Sequence, residues 1–186
     1  GDKTVDDVKM EQVFGGMRDI TSMLWEPSLL DAEEGIRFRG YSIPELREKL
    51  PRAANGTEPL PEGLFWLMLV GEIPTKDQVK WLTDNWTRRA NVPEHVFKAI
   101  DVLPADTHPM TQFSIGILAM QNTSIFAQRY NAGINRTEYW DATYEDAMNL
   151  IARLPRIAAY IFRRVYHNGD HVLPDITLDW GGNFSH

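Results

Sequence analysis

Residues 143–165 read TYEDAMNLIARLPRIAAYIFRRV, and in them Ala147, Leu150, Ile151, Leu154, Ile157, Ala158, Ile161 and Val165 recur at helical spacing. Apolar residues at a period of 3.6 over five turns describe a long helix with one buried side. The spacing predicts that it starts near Thr143. Pro155 lies inside it, removes one backbone donor and should kink the helix or split it in two. A helix this long is the spine of a mainly α-helical fold.

Upstream, residues 109–127 contain no charged side chain. Met110, Phe113, Ile117 and Met120 form a stripe, while Ser114, Gly116 and Ala119 keep other faces small. A segment so uncharged must be covered on most sides, and a second subunit is a natural cover. Earlier helices are marked by their starts. Ser42-Ile43-Pro44-Glu45 and Thr75-Lys76-Asp77-Gln78 are capping boxes, the first opening a short helix that ends near Leu50-Pro51. Pro61-Glu62-Gly63 opens the apolar run Leu64–Val70, whose leucines and methionine favour a buried helix over a strand. Behind Thr75, Val79, Leu82 and Trp86 give an amphipathic surface helix, and Pro93-Glu94 begins another through Val96, Phe97 and Ile100. Residues 52–60 are a loop turning at Asn55-Gly56.

The first 41 residues have a different character. Thr4–Phe14 and Ile20–Trp25 are short mixed segments, and Gly35–Gly40 alternates, so residues 1–41 are expected to form an extended arm with short hairpins. Residues 42–186 form the helical part. From residue 170 onward only turn residues without a period are visible, although Trp180 and Phe184 call for burial.

Composition narrows the chemistry. The chain has 186 residues, enough for a real core, and its formal net charge of −7 argues against general nucleic-acid binding. With no cysteine, thiol catalysis, disulfides and thiolate metal sites are excluded within the chain. The longest apolar run is far short of the roughly 20 residues that cross a bilayer. The chain opens on Gly1 and charged residues, which reads as a processed or trimmed product. Walker, dinucleotide-binding, G-x-S-x-G and H-E-x-x-H patterns are absent. His167 and His171 lie four apart, but Gly169 between them argues against one helix presenting both to a metal. Two arginines stand out. Arg18 follows Gly15-Gly16-Met17 in a tight turn, and Arg136 lies in the loop Gly133–Thr137 ahead of the long helix. A planar guanidinium in such a place suits phosphate capture.

Longer words then add a family. Gly15-Gly16-Met17-Arg18, the run Glu34–Glu45 (EGIRFRGYSIPE), Pro59–Leu67 (PLPEGLFWL), His108-Pro109-Met110, Arg136-Thr137-Glu138-Tyr139-Trp140, Tyr144-Glu145-Asp146, and Leu178-Asp179-Trp180 with Asn183-Phe184 occur in order. From about Val5 to the end, the sequence resembles citrate synthase of the eukaryotic mitochondrial type. The resemblance implies a mainly α fold, part of the helical large domain of that family, with the small domain absent. It implies a homodimer of the mitochondrial matrix that condenses acetyl-CoA with oxaloacetate and water to citrate and CoA. No cofactor is implied beyond acetyl-CoA and CoA as substrate and product. The family's two catalytic histidines and its aspartate have no counterpart here, so no residue of this chain is expected to be catalytic or to bind metal. The remaining C-terminal half becomes an expected partner, in the same or a separate chain.

Arg18 matches the arginine of the family's G-G-M-R word and Arg136 that of its R-T-x-Y-W word, and both are associated there with CoA phosphates. Two departures stand beside this match. Asp19 replaces the usual glycine, and Gly181-Gly182 replaces Ser-His ahead of Asn-Phe. The alternatives are a non-catalytic assembly subunit that kept the helical scaffold, and a methylcitrate synthase that uses propionyl-CoA.

Overall fold

A computed structural model describes residues 2–21 and 30–186. Residues 22–25 of the arm's second mixed segment therefore lie outside the described residues.

The arm is not wholly extended. Met10–Phe14 form a short helix, α1. Gln12 explains it, because its side-chain oxygen accepts the Lys9 N–H at 2.7 Å and its amide donates to the Asp19 carbonyl at 2.7 Å. Five residues are too few to show a period in the sequence. The expected hairpin is present. β1 (Arg37–Phe38) pairs antiparallel with β2 (Tyr41–Ser42), with Arg37 opposite Ser42 and Phe38 opposite Tyr41. Its two-residue turn holds Arg39 at φ 51° and Gly40 at φ 89°, the positive values that suit the twist of a tight hairpin. The Arg39 guanidinium fastens the turn to the Met68 carbonyl at 2.6 Å and 3.1 Å.

Both capping boxes form. Ser42 opens α2 (Ile43–Lys49), with Glu45 accepting the Ser42 N–H at 2.8 Å. Thr75 opens α4 (Lys76–Arg89), with Gln78 reciprocating at 2.8 Å. Between them α3 (Pro61–Val70) stops at Gly71, whose φ of 90° a side chain would resist. The run is a helix, as expected. It is not buried all round, however, since Leu69 and Val70 are 54% and 55% exposed. α5 spans Glu94–Asp101.

The uncharged stretch 109–127 is not one helix. α6 (Pro109–Ala119) ends, a 3-10 turn covers Gln121–Thr123, and α7 runs Ile125–Asn131. Ser124 caps α7, and Asp146 reaches across to accept from Ser124 Oγ (2.6 Å), Ile125 N (2.7 Å) and Phe126 N (3.1 Å). Most of the apolar stripe faces the core, since Met120 is buried there and Phe113 and Ile117 pack against it, but the most buried line of α6 lies beside the stripe. That line runs through Gln112 and Gly116 and meets the stripe at Met120, while Met110 at the stripe's start is exposed. Gln112 is buried because its amide donates to Thr107 O at 2.7 Å and its carbonyl accepts from Arg164 at 2.8 Å.

A second 3-10 turn, Arg136–Glu138, leads into α8 (Tyr139–Tyr166), one assigned helix that begins a turn earlier than the spacing implied. Pro155 does not divide it. Proline cannot bond the Ile151 carbonyl four residues back, and Trp180 Nε1 donates to that carbonyl at 2.9 Å instead. Trp180 belongs to α9 (Trp180–Ser185), a helix where the sequence showed only turn residues. Asp179 starts it by accepting the Gly182 N–H at 2.7 Å.

α8 is the spine of the core. Ile157 and Ile161 meet Val96, Ile100 and Met120 on one side, and Met148 and Ala152 meet Leu82 and Trp86 on another. A smaller cluster of Leu46, Leu50 and Leu67 sits under the hairpin.

Candidate functional site

Arg18 lies in the turn that ends α1. Gly16, Met17 and Asp19 have φ values of 77°, 61° and 58°, so the chain coils left-handed around it. The Met17 N–H donates to the Gln12 carbonyl at 2.7 Å, and Gln12 also ties down Asp19 from the other side. The result is a short loop braced at both ends with Arg18 exposed on it. Asp19, the departure from the family word, stands beside the arginine in the chain.

Arg136 begins the 3-10 turn before α8 and is also exposed. Asn135 caps that turn, its oxygen accepting from Thr137 N and Thr137 Oγ1 at 3.0 Å each. Among the described residues neither arginine has a carboxylate partner, unlike Arg129, which pairs with Asp141 at 2.6 Å. Each therefore keeps its planar set of donors for an outside anion. No hydrogen bond joins the two positions. One is on the arm and the other on the approach to α8.

The histidines have structural settings. His108 Nδ1 caps α6 by accepting from Met110 N at 3.2 Å, His95 bonds the Ala119 carbonyl at 2.8 Å, and His171 stacks on Tyr160. α8 ends at Tyr166, and Asn168 and Gly169 turn left-handed, so His167 and His171 share no helix face.

Two features escaped the sequence reading. Glu62, read from the sequence only as part of the opening of α3, is fully buried. Its Oε1 accepts from Thr83 Oγ1 (3.2 Å) and Trp180 N (3.4 Å), while Oε2 has no partner. Burial pushes its carboxyl above the ordinary range, against the lowering effect of those hydrogen bonds. The second feature is a groove of about 1040 Å³ between α3, α4 and the start of α8, lined by Trp66, Leu69, Trp81, Tyr139 and Trp140 among others. Trp81 and Trp140 are 50% and 71% exposed. A second apolar hollow of about 510 Å³ lies beside Met110, Phe113, Phe162 and Phe184.

Known proteins give these features a setting. The family model described as citrate synthase, C-terminal domain, matches residues 16–186. The chain belongs to the citrate synthase family. It is 54% identical over 179 residues to mitochondrial citrate synthase 4 of Arabidopsis thaliana and 56% identical over 179 residues to the mitochondrial citrate synthase of Daucus carota. Each match covers 96% of this chain and 38% of the relative. The mitochondrial citrate synthase of Citrus maxima is 50% identical over all 186 residues, which are 40% of its own length.

The fold agrees with that family. The crystal structure of citrate synthase from Pyrobaculum aerophilum aligns at a TM-score of 0.63 with 24% identity, covering 78% of this chain and 34% of that one. Citrate synthase from Thermoplasma acidophilum, in a ternary complex with carboxymethyl coenzyme A and oxaloacetate, aligns at a TM-score of 0.64 with 20% identity, covering 91% of this chain and 40% of that one. At these identities the likeness is one of fold. Among the described residues no helix is long and apolar enough to cross a membrane.

Proposed function

We propose that this chain is the N-terminal portion of a citrate synthase, which condenses acetyl-CoA with oxaloacetate and water to citrate and CoA in the mitochondrial matrix. Identity of 50% to 56% to mitochondrial citrate synthases, over a chain that covers 38% to 40% of them, carries this reading. In it, the acid–base chemistry belongs to polypeptide that corresponds to the rest of those relatives. This chain supplies the α5–α6–α8 core, a face for a homodimer partner, and two anion contacts. Arg18 and Arg136 hold phosphates of CoA. Their braced turns and free guanidinium donors support that role, because the backbone that carries each fork is already ordered before an anion binds.

The two apolar hollows support a role within a larger assembly of polypeptide. Exposed surfaces of this kind are normally covered by more protein.

Complementation is the test. The chain is co-expressed with the remaining part of the carrot enzyme, and CoA release is followed in the presence of acetyl-CoA and oxaloacetate. The pair should form citrate while neither part does so alone. A stable complex with no citrate formed would instead identify an assembly subunit. A rate with propionyl-CoA above that with acetyl-CoA would identify a methylcitrate synthase.

A further inference from the structure

Against the C-terminal half of α8 is a cleft of about 250 Å³ whose lining includes Phe97, Arg156, Tyr160, Arg163 and His171. Two guanidinium groups and the His171 and His186 imidazoles thus share one small hollow, and one of the guanidinium groups, Arg163, is already paired. Asp170 is held by Arg163, which donates to its carbonyl and, at 3.3 Å, to its carboxylate. Asp101 accepts from the Tyr160 hydroxyl at 2.7 Å and has Arg164 3.9 Å away. Burial first, and the hydrogen bond to Asp101 second, push the Tyr160 phenol up to about 12, so it stays a neutral donor fixed on that carboxylate.

Arg156 is left without a carboxylate among the described residues. Its one side-chain hydrogen bond is a long one, 3.4 Å to Asn91 Oδ1. The guanidinium carbon lies 5.3 Å from the centre of the Phe97 ring, and Phe97 packs on Tyr160 with centroids 4.5 Å apart. The cation is therefore held by an aromatic face while its N–H edge remains available. His171 lies parallel to Tyr160, with ring centroids 3.9 Å apart and planes 10° apart. Stacking fixes the imidazole plane and leaves its ring nitrogens at the rim without a described hydrogen-bond partner.

We propose that this cleft is a second anion site, separate from Arg18 and Arg136, which takes a compact oxyanion such as a phosphate or a small carboxylate between Arg156 and His171. Arg156 supplies the charge-assisted pair of hydrogen bonds and His171 a further N–H donor. The apolar wall of Phe97 keeps water from one side of the contact, which strengthens it. The volume of about 250 Å³ accommodates a small acid or phosphate. Since the 3-10 turn of Arg136 leads into α8, an anion here would bind the C-terminal half of the helix that follows the proposed CoA contact.

Inorganic phosphate is the probe, titrated at constant ionic strength into the full chain carrying R18A and R136A, so that those two arginines cannot report. Affinity is read by calorimetry and location by the NMR signals of the His171 ring. Saturable binding that shifts the His171 signals is expected. Arg156→Ala should weaken it about tenfold or more, as loss of a charge-assisted hydrogen-bond pair does. Arg156→Gln, which keeps most of the side chain's packing, serves the same purpose should the alanine variant fail to fold. Competition by succinate would extend the site to carboxylates, and its absence would restrict it to phosphates. Phosphate binding that is missing from the R18A/R136A chain, or that Arg156→Gln leaves at full strength, overturns the proposal.

Discussion

If the indole N–H of Trp180 replaces the backbone donor that Pro155 lacks, the two residues must be energetically coupled. The 2.9 Å bond to the Ile151 carbonyl is side chain to backbone, from α9 to α8, across 29 residues of sequence. Trp180→Phe deletes the N–H and leaves that carbonyl in a setting beside buried Ala152 and Pro155. An acceptor stranded in this way costs about 1–3 kcal/mol, and the smaller ring adds a packing loss. Pro155→Ala restores a backbone N–H aimed at the same carbonyl. In that background Trp180→Phe should lose its packing contribution but no longer strand the acceptor. Urea unfolding of the four chains, followed by circular dichroism, closes the cycle. The expected coupling is about 1 kcal/mol, with Trp180→Phe milder in the Pro155→Ala chain. Strict additivity, within about 0.5 kcal/mol, would show that the indole does not stand in for the missing amide.

Other outcomes follow from single sites. Glu62 has its folded-state pKa raised, chiefly by burial, so its contribution to stability is greatest below the unfolded-state value and falls away as pH rises through the folded one. Glu62→Gln should therefore flatten the pH dependence of the urea midpoint and gain most relative to the parent at pH 8; a variant less stable than the parent at pH 8 contradicts this. Gly116 is tightly enclosed, because a Cβ there would lie 3.1 Å from Ile100 Cδ1 and 3.2 Å from Ile157 Cγ2. Gly116→Val should cost about 1–3 kcal/mol by overpacking, measured as a lowered urea midpoint, and a neutral result would mean that α6 and α8 can part freely. In the complemented enzyme, Arg18→Ala and Arg136→Ala should each weaken acetyl-CoA binding about tenfold, with a smaller effect on oxaloacetate, as read from their separate KM values. Unchanged CoA affinity in both would remove the assigned roles.

Local chemistry made much of the fold legible. Ser42 with Glu45, and Thr75 with Gln78, mark helix starts because each hydroxyl and its partner lie within one turn of one another. The long period of α8 survived an internal proline whose missing bond is met by a residue 25 positions later, a relation that no local window contains. The same distance hid the break between α6 and α7, since the carboxylate that helps to fix it, Asp146, lies on another helix. Five- and six-residue helices such as α1 and α9 carry too few positions to show a period. The apolar stripe of α6 marked the side that meets the core, but not its most buried positions. Gly116 allows Ile100 and Ile157 to approach closely, and Gln112 satisfies its amide internally, so a small and a polar residue face inward. For the candidate site, spacing picked out Arg18 and Arg136 as placed on turns, and the resemblance supplied CoA as a ligand. Arg156 and His171 meet only because the chain reverses after α8.

Asp146 has a kinetic consequence as well as a static one. α7 has seven residues, too few to persist alone in water, and two of its first amides are held by a carboxylate from α8. The clasp cannot close until the spine is in place, so α7 should order late in folding. In native-state hydrogen exchange, Ile125 and Phe126 should then lose protection together, whenever α8 lifts away and carries its carboxylate with it.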